Sequence, residues 1–141
     1  MDYADTSFLL KWLLPEPESL PTQRYVEAAE LIVFSSLAFL EMRVQIRGFF
    51  LGGSINRLQL RRIESYVSSM KELEPFRFQE LPGSVFQTAV QQLTSVPNLH
   101  CRTLNRLHLA AMDELGATVL LTFDKRRATA AKALGIQVVT P

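Results

Sequence analysis

Asp5, Glu41 and Asp124 are the residues of this chain whose types and positions suit chemistry. Asp5 follows the short stretch "MDYA", Asp124 follows "TVLLTF", and Glu41 comes one helical turn after "IVFSS". If these stretches are strands of one parallel sheet, all three acids fall at strand carboxyl ends, where such sheets gather ligands. Clustered carboxylates repel one another unless a cation neutralises them. Oxygen-only donors suit Mg²⁺ or Mn²⁺, which bind through a few carboxylates and keep several waters. Such an ion polarises a phosphoryl oxygen and generates hydroxide near neutral pH, so phosphodiester hydrolysis is the chemistry that fits.

Each acid also has a local explanation. Asp5 and Asp124 precede expected helices, where an aspartate commonly caps the first turn. Glu41 on an apolar helix could be a surface residue. Thr6, Ser7 and Thr122 either cap helices or hold the carboxylates in place by hydrogen bonds. Asn105 poses the same choice. In "TLNRLHLAAM", Leu104, Leu107, Ala111 and Leu115 recur at helical spacing and mark a buried stripe. Asn105 then sits about 90° from its middle, on the rim. It is either a solvated amide or a residue facing the site.

The elements that must position these residues alternate. Strands are expected at "MDYA", "IVFSS", "FRFQELP", "TVLLTF" and "IQVV". Helices are expected over "FLLKWLL", stopped before Pro15 and Pro17, and over 21–31, 37–51, a long segment capped by Ser54, a segment capped by Ser84 and running to about Ser95, the Asn105 segment, and 125–134. No hairpin signal interrupts the alternation, so the pattern predicts one α/β domain, residues 1–141, with a mostly parallel sheet. The helix from Leu37 to Leu51 is apolar on nearly every side, which requires either deep burial or cover by another chain.

A chain of 141 residues, 48% hydrophobic, suits one domain with a real core. No stretch is long and apolar enough to span a membrane. "FLLKWLLPEPE" lacks the basic leader and cleavage site of a signal peptide. The single cysteine, Cys101, cannot form an internal disulfide, so the cytoplasm is the expected compartment. A net charge of +1 neither demands nor excludes nucleic acid. Local basic groups (Arg57, Arg61 and Arg62; Arg102 and Arg106; Lys125, Arg126 and Arg127) are either solvated faces or phosphate contacts. Gly-rich phosphate loops, Cys-x-x-Cys pairs and nucleophile elbows are missing. His100 and His108 have no spaced zinc partners, and His108 is expected to pack in the core.

"YADTSFLLKWLLPEPES", "SSLAFLEMRVQIRG", "CRTLNRLHLAAMDELGATVLLTFDKR" and "AAKALGIQVVTP" together resemble the PIN-domain ribonucleases, most closely the VapC-type toxins of prokaryotic toxin–antitoxin pairs. The resemblance covers essentially the whole chain. It implies a three-layer α/β/α sandwich, metal-dependent endoribonuclease activity, a homodimer and a cognate antitoxin. It places the family acids on Asp5, Glu41 and Asp124, and the remaining one on Asn105.

An amide keeps one ligating oxygen but no charge. Mg²⁺ or Mn²⁺ would then meet three negative charges rather than four, and weaker metal binding and slower cleavage are expected. Asp113, about 80° further round the helix and about 12 Å along it, is a poor replacement. Lys125, Arg126 and Arg106 are the candidate RNA phosphate contacts. A PIN-like module that grips RNA or an antitoxin without cutting is the alternative, and a phosphoacceptor domain built on Asp5 or Asp124 is a third.

Overall fold

The computed structural model describes residues 1–15 and 19–141, so Glu16, Pro17 and Glu18 lie outside the described residues. The order is β1 (Asp2–Ala4), α1 (Thr6–Leu13), α2 (Ser19–Ala28), β2 (Ile32–Ser35), α3 (Ser36–Leu51), α4 (Arg57–Ser69), a 3₁₀ turn (Met70–Glu72), β3 (Phe76–Gln79), α5 (Val85–Ser95), α6 (Thr103–Leu115), β4 (Val119–Leu121), α7 (Lys125–Ala133) and β5 (Gln137–Val139). The strands form one sheet in the order β3-β2-β1-β4-β5. Every pairing is parallel, which goes beyond the mostly parallel sheet expected.

Helices cover both faces, as a parallel sheet requires. On one face Phe8, Leu9, Ala38, Met42, Ile46, Leu60 and Val67 pack on Ala4, Ile32 and Phe34. On the other, Val85, Ala89, Leu109 to Met112, Ala130 and Ala131 pack on Tyr3 and Leu120. The result is a three-layer α/β/α sandwich. From β1 the chain winds outward through β2 to β3, then returns to add β4 on the other side of β1. The strand order therefore reverses beside β1, and such a switch point opens a crevice at the carboxyl ends.

Three helix expectations need correction. The N-cap of α4 is Asn56, not Ser54: its side chain accepts from Gln59 N while the Gln59 side chain accepts from Asn56 N, a reciprocal capping box. Ser84 holds the N-cap position of α5 without a capping bond, and its hydroxyl donates to Glu114 instead. In α6 the buried face is out of phase with the expected stripe. Leu104 is 50% exposed, whereas Asn105, Arg106 and His108 to Met112 are buried. Packing against α5, with α7 also in contact, widens the covered face beyond one apolar stripe. Gly116, at φ 65°, ends α6 in the left-handed conformation that glycine takes without strain.

Along α3, Ala38, Met42 and Ile46 are buried, while Leu40, Val44 and Leu51 are exposed. One side of this helix is core and another is left uncovered.

Candidate active site

Asp5 leaves the carboxyl end of β1 as the N-cap of α1. Its Oδ1 accepts from Phe8 N at 3.0 Å and from the Ser7 hydroxyl at 2.7 Å. Its Oδ2 accepts from the Thr122 hydroxyl and from Arg127 Nη1, the latter at 2.6 Å. The residue has no exposed surface. Capping uses only one side of the group: Oδ1 serves the helix, while Oδ2 meets Thr122 and Arg127.

Asp124 repeats the arrangement after β4. Its Oδ1 caps α7, accepting from Arg126 N at 2.8 Å and Arg127 N at 3.0 Å. The Ser7 hydroxyl accepts from Phe123 N at 2.8 Å and Asp124 N at 3.2 Å, and Thr122 Oγ1 accepts from Asp124 N at 3.0 Å. Ser7 and Thr122 thus tie the ends of β1 and β4 together.

Glu41 approaches from α3. Its Oε2 accepts from the Thr6 hydroxyl at 2.7 Å and from His108 Nε2. Half-burial pulls this carboxyl up, but the hydrogen bonds from His108 and Thr6 outweigh it and hold the group below its usual range. Burial pushes His108 down, against the pull of Glu41, so the imidazole is neutral at neutral pH. A neutral ring that donates from Nε2 must accept at Nδ1. Tyr3 OH, 2.8 Å away, is the donor there, and its phenol is driven up by burial and stays protonated. The Ser35 hydroxyl lies 2.7 Å from the Tyr3 oxygen. A buried chain from Ser35 through Tyr3 and His108 therefore aims Glu41.

Asn105 faces inward and is only 7% exposed. Its Oδ1 accepts two bonds from one guanidinium, Arg127 Nε at 3.2 Å and Nη2 at 3.0 Å. Arg127 is 5% exposed and joins Asp5 to Asn105. Its cation sits in the first turn of α7, where the helix dipole disfavours positive charge, so the carboxylate of Asp5 holds it there.

The fold brings Asp5, Glu41, Asn105 and Asp124, with Thr6, Ser7 and Thr122, to one sheet edge. Lys125 and Arg126 are exposed at the same edge. With Arg102 and Asn105 they line a cavity of about 470 Å³. Arg106 does not join them. It is 5% exposed and its Nη2 donates to the Leu99 carbonyl at 3.0 Å, because its position on α6 turns inward. Asp113 is exposed and takes no part. Sequence reasoning misses Tyr3, Ser35 and the positioning role of His108, and it groups Arg127 with Lys125 and Arg126 as a solvated face or phosphate contact, whereas Arg127 turns inward to Asp5 and Asn105. The one available signal is Arg127 itself, a cation three residues after an N-cap aspartate, where it needs a partner.

The donors suit a divalent cation in kind but not as arranged. Asp5 has about four lone-pair positions, and four donors fill them. The two lone pairs of the Asn105 carbonyl both meet Arg127. Among the described residues, no group of three or more His, Cys, Asp or Glu side chains is set to hold a metal ion.

Known proteins share this framework. The chain is 30% identical over 141 residues to Ribonuclease VapC46 of Mycobacterium tuberculosis (strain ATCC 25618 / H37Rv), covering 99% of this chain and 96% of that protein. The crystal structure of M. tuberculosis VapC20, a Sarcin-Ricin loop cleaving toxin, superposes with a TM-score of 0.73 at 15% identity over 100% of both chains. A toxin–antitoxin complex from Klebsiella pneumoniae matches with a TM-score of 0.65 at 16% identity, over 100% of this chain and 98% of that one. The family model described as PIN domain matches residues 3–133, a span that takes in all five strand ends but the last and every oxygen donor gathered beside β1. By that match and by its identity to VapC46, the chain belongs to the PIN domain family.

Proposed function

We propose that this chain is the toxin of a type II toxin–antitoxin pair, acting in the cytoplasm as a metal-dependent endoribonuclease that hydrolyses RNA phosphodiester bonds, weakened by its own charge balance. One observation carries the reading. Asp5, Glu41, Asn105 and Asp124 gather at the sheet edge that also opens the cavity lined by Arg102, Lys125 and Arg126. Likeness to Ribonuclease VapC46 over nearly its whole length supports RNA as the substrate class.

The residues divide the work. Lys125 and Arg126 stand exposed in the first turn of α7, where the helix dipole disfavours cations. An RNA phosphate there relieves that repulsion and releases counterions. Recognition rests on RNA shape and unpaired bases. Glu41 is ionised and aimed by His108, while Ser7 and Thr122 fix Asp5 and the backbone of Asp124. Asp5, Glu41 and Asp124 would hold Mg²⁺ or Mn²⁺, with Asn105 as a neutral member. A divalent ion would supply phosphate polarisation and an activated water. Arg127 must first leave Asp5 and Asn105.

That last requirement favours a second reading, a PIN-domain module that grips RNA or an antitoxin without cutting. Incubation of the purified chain with end-labelled RNA, in Mn²⁺ or Mg²⁺ and in chelator, decides between them. Ion-dependent fragments that vanish in Asp5→Asn support the nuclease. Intact RNA in every condition, with binding preserved, supports the module.

The partner is an antitoxin segment with an apolar helical face. Leu37, Leu40, Pro82, Val85, Phe86 and Leu107 line a groove of about 330 Å³ between α3 and α5, and Leu40 and Phe86 are largely exposed there. Such a groove suits an amphipathic helix. The chain is proposed to pair with a second copy as well, which light scattering tests. Among the described residues, no helix is long and apolar enough to cross a membrane.

A further inference from the structure

We infer that Arg127 is a resident cation, whose guanidinium takes the place of a divalent ion between Asp5 and Asn105 and leaves the Asp5 carboxylate charge-compensated without metal. Its three donating nitrogens are all used: Nη1 on Asp5 Oδ2 at 2.6 Å, and Nε and Nη2 on Asn105 Oδ1 at 3.2 and 3.0 Å. Both acceptors come from different parts of the fold, as a metal's ligands would. The side chain is 5% exposed, so the contact is interior rather than a surface ion pair. With Arg127 in place Asp5 has no lone pair left, and neither has the Asn105 carbonyl. Among the described residues of this site, the carboxylate oxygens outside these bonds are Glu41 Oε1 and Asp124 Oδ2, on separate hydrogen-bond networks.

The pairing also explains the amide. Arg127 compensates Asp5, and a neutral carbonyl suffices for its other two nitrogens. Asn105 and Arg127 are in this sense one device: together they lower the negative charge of the site and fill it. A divalent ion must then compete with a positive charge already seated, which costs affinity twice, through repulsion and through the bonds it must break.

The site is that of the proposed function, but its occupancy by Arg127 is read without RNA, so an inactive chain that passes and an active chain that fails are told apart. Thermal unfolding of the full chain, wild type and Arg127→Leu, is followed in chelator and in millimolar Mn²⁺. The wild-type melting temperature should be the same in both media. Arg127→Leu should melt lower by on the order of 10 °C in chelator, because a buried carboxylate loses its cation, and should recover much of that loss in Mn²⁺. A wild type that is stabilised by Mn²⁺ as much as the variant, or a variant that melts like wild type in chelator, overturns the inference. If Arg127→Leu does not fold, the wild type decides: its Mn²⁺ electron paramagnetic resonance titration should show the ion free through the micromolar range, and tight uptake contradicts the assignment.

Discussion

The guanidinium of Arg127 gives two hydrogen bonds to the single side-chain oxygen of Asn105, at 3.2 and 3.0 Å, while its third nitrogen reaches Asp5. Two residues 22 apart in sequence, one on α6 and one on α7, are thus set by each other. Asn105→Asp places a carboxylate against the same fork, turning two neutral-acceptor bonds into charge-assisted ones. The substituted chain should unfold at higher denaturant, by about 1 kcal/mol. Urea midpoints measure it, and an unchanged or lower midpoint would mean the fork is not held as described.

Thr122 donates to Asp5 Oδ2 and accepts from Asp124 N at 3.0 Å, and it is fully buried. Thr122→Val keeps the shape and removes both bonds. It should cost about 1–3 kcal/mol and should weaken any function of the site, since Asp5 and Asp124 keep only the tether through Ser7. Chemical denaturation gives the first quantity; a loss below about 0.5 kcal/mol would show the tether to be idle.

Acid should unfold this protein earlier than a neutral surface histidine would allow. The folded pKa of His108 lies below its ordinary 6.5, chiefly through burial, so the unfolded chain takes up a proton that the folded chain refuses. The stability from this group is complete above about pH 6.5 and drains as pH falls towards and through the folded value. Glu41 acts in the same direction lower down: held below 4.5, it contributes stability above that pH and loses it as pH falls through its folded pKa. The melting temperature should therefore begin to fall near pH 6.5, and His108→Gln should remove the early part of the fall. A flat profile from pH 7 to about pH 5 would mean that His108 is not held neutral by its surroundings.

Lys125 and Arg126 are exposed beside the cavity that reaches Asn105. Their replacement by alanine should weaken RNA binding at low salt and lower the slope of log affinity against log salt by about 0.7 for each phosphate no longer neutralised. Arg106→Ala should instead destabilise the fold, because Arg106 is internal. Filter binding over a salt series separates the two; equal slopes for wild type and the double variant would remove these residues from the RNA path.

The positions of Asp5 and Asp124 are legible because strand ends and helix caps coincide in parallel α/β folds, so a capping aspartate after an apolar run also marks the sheet edge. Glu41 is legible from its distance past "IVFSS". The phase of α6 is not. Its covered face is set by α5 as well as the sheet, and Leu104 at 50% exposure shows that an apolar residue at helical spacing can still face water. Arg127 stands in sequence as one of three neighbouring cations. Its place three residues after an N-cap aspartate says only that a cation there needs a partner; that Arg127 rather than its neighbours turns inward depends on where Asp5 and Asn105 lie in space. The inward turn of Arg106 is hidden for the same reason. His108 is in the core as its spacing predicts, but its bonds to Glu41 and Tyr3 join α6, α3 and β1, a tertiary fact no local spacing encodes.

If Asp5, Glu41, Asn105 and Asp124 form one site acting on RNA, restrained by Arg127, the restraint should be visible in rates. Initial rates of Mn²⁺-dependent RNA cleavage by wild type, Asp5→Asn and the double variant Asn105→Asp with Arg127→Leu test this most directly. Wild type should be slow and Asp5→Asn should show no ion-dependent cleavage. The double variant should be faster than wild type by about tenfold or more, equivalent to about 1.4 kcal/mol of barrier. Equal rates for wild type and Asp5→Asn, with no gain in a folded double variant, would contradict it.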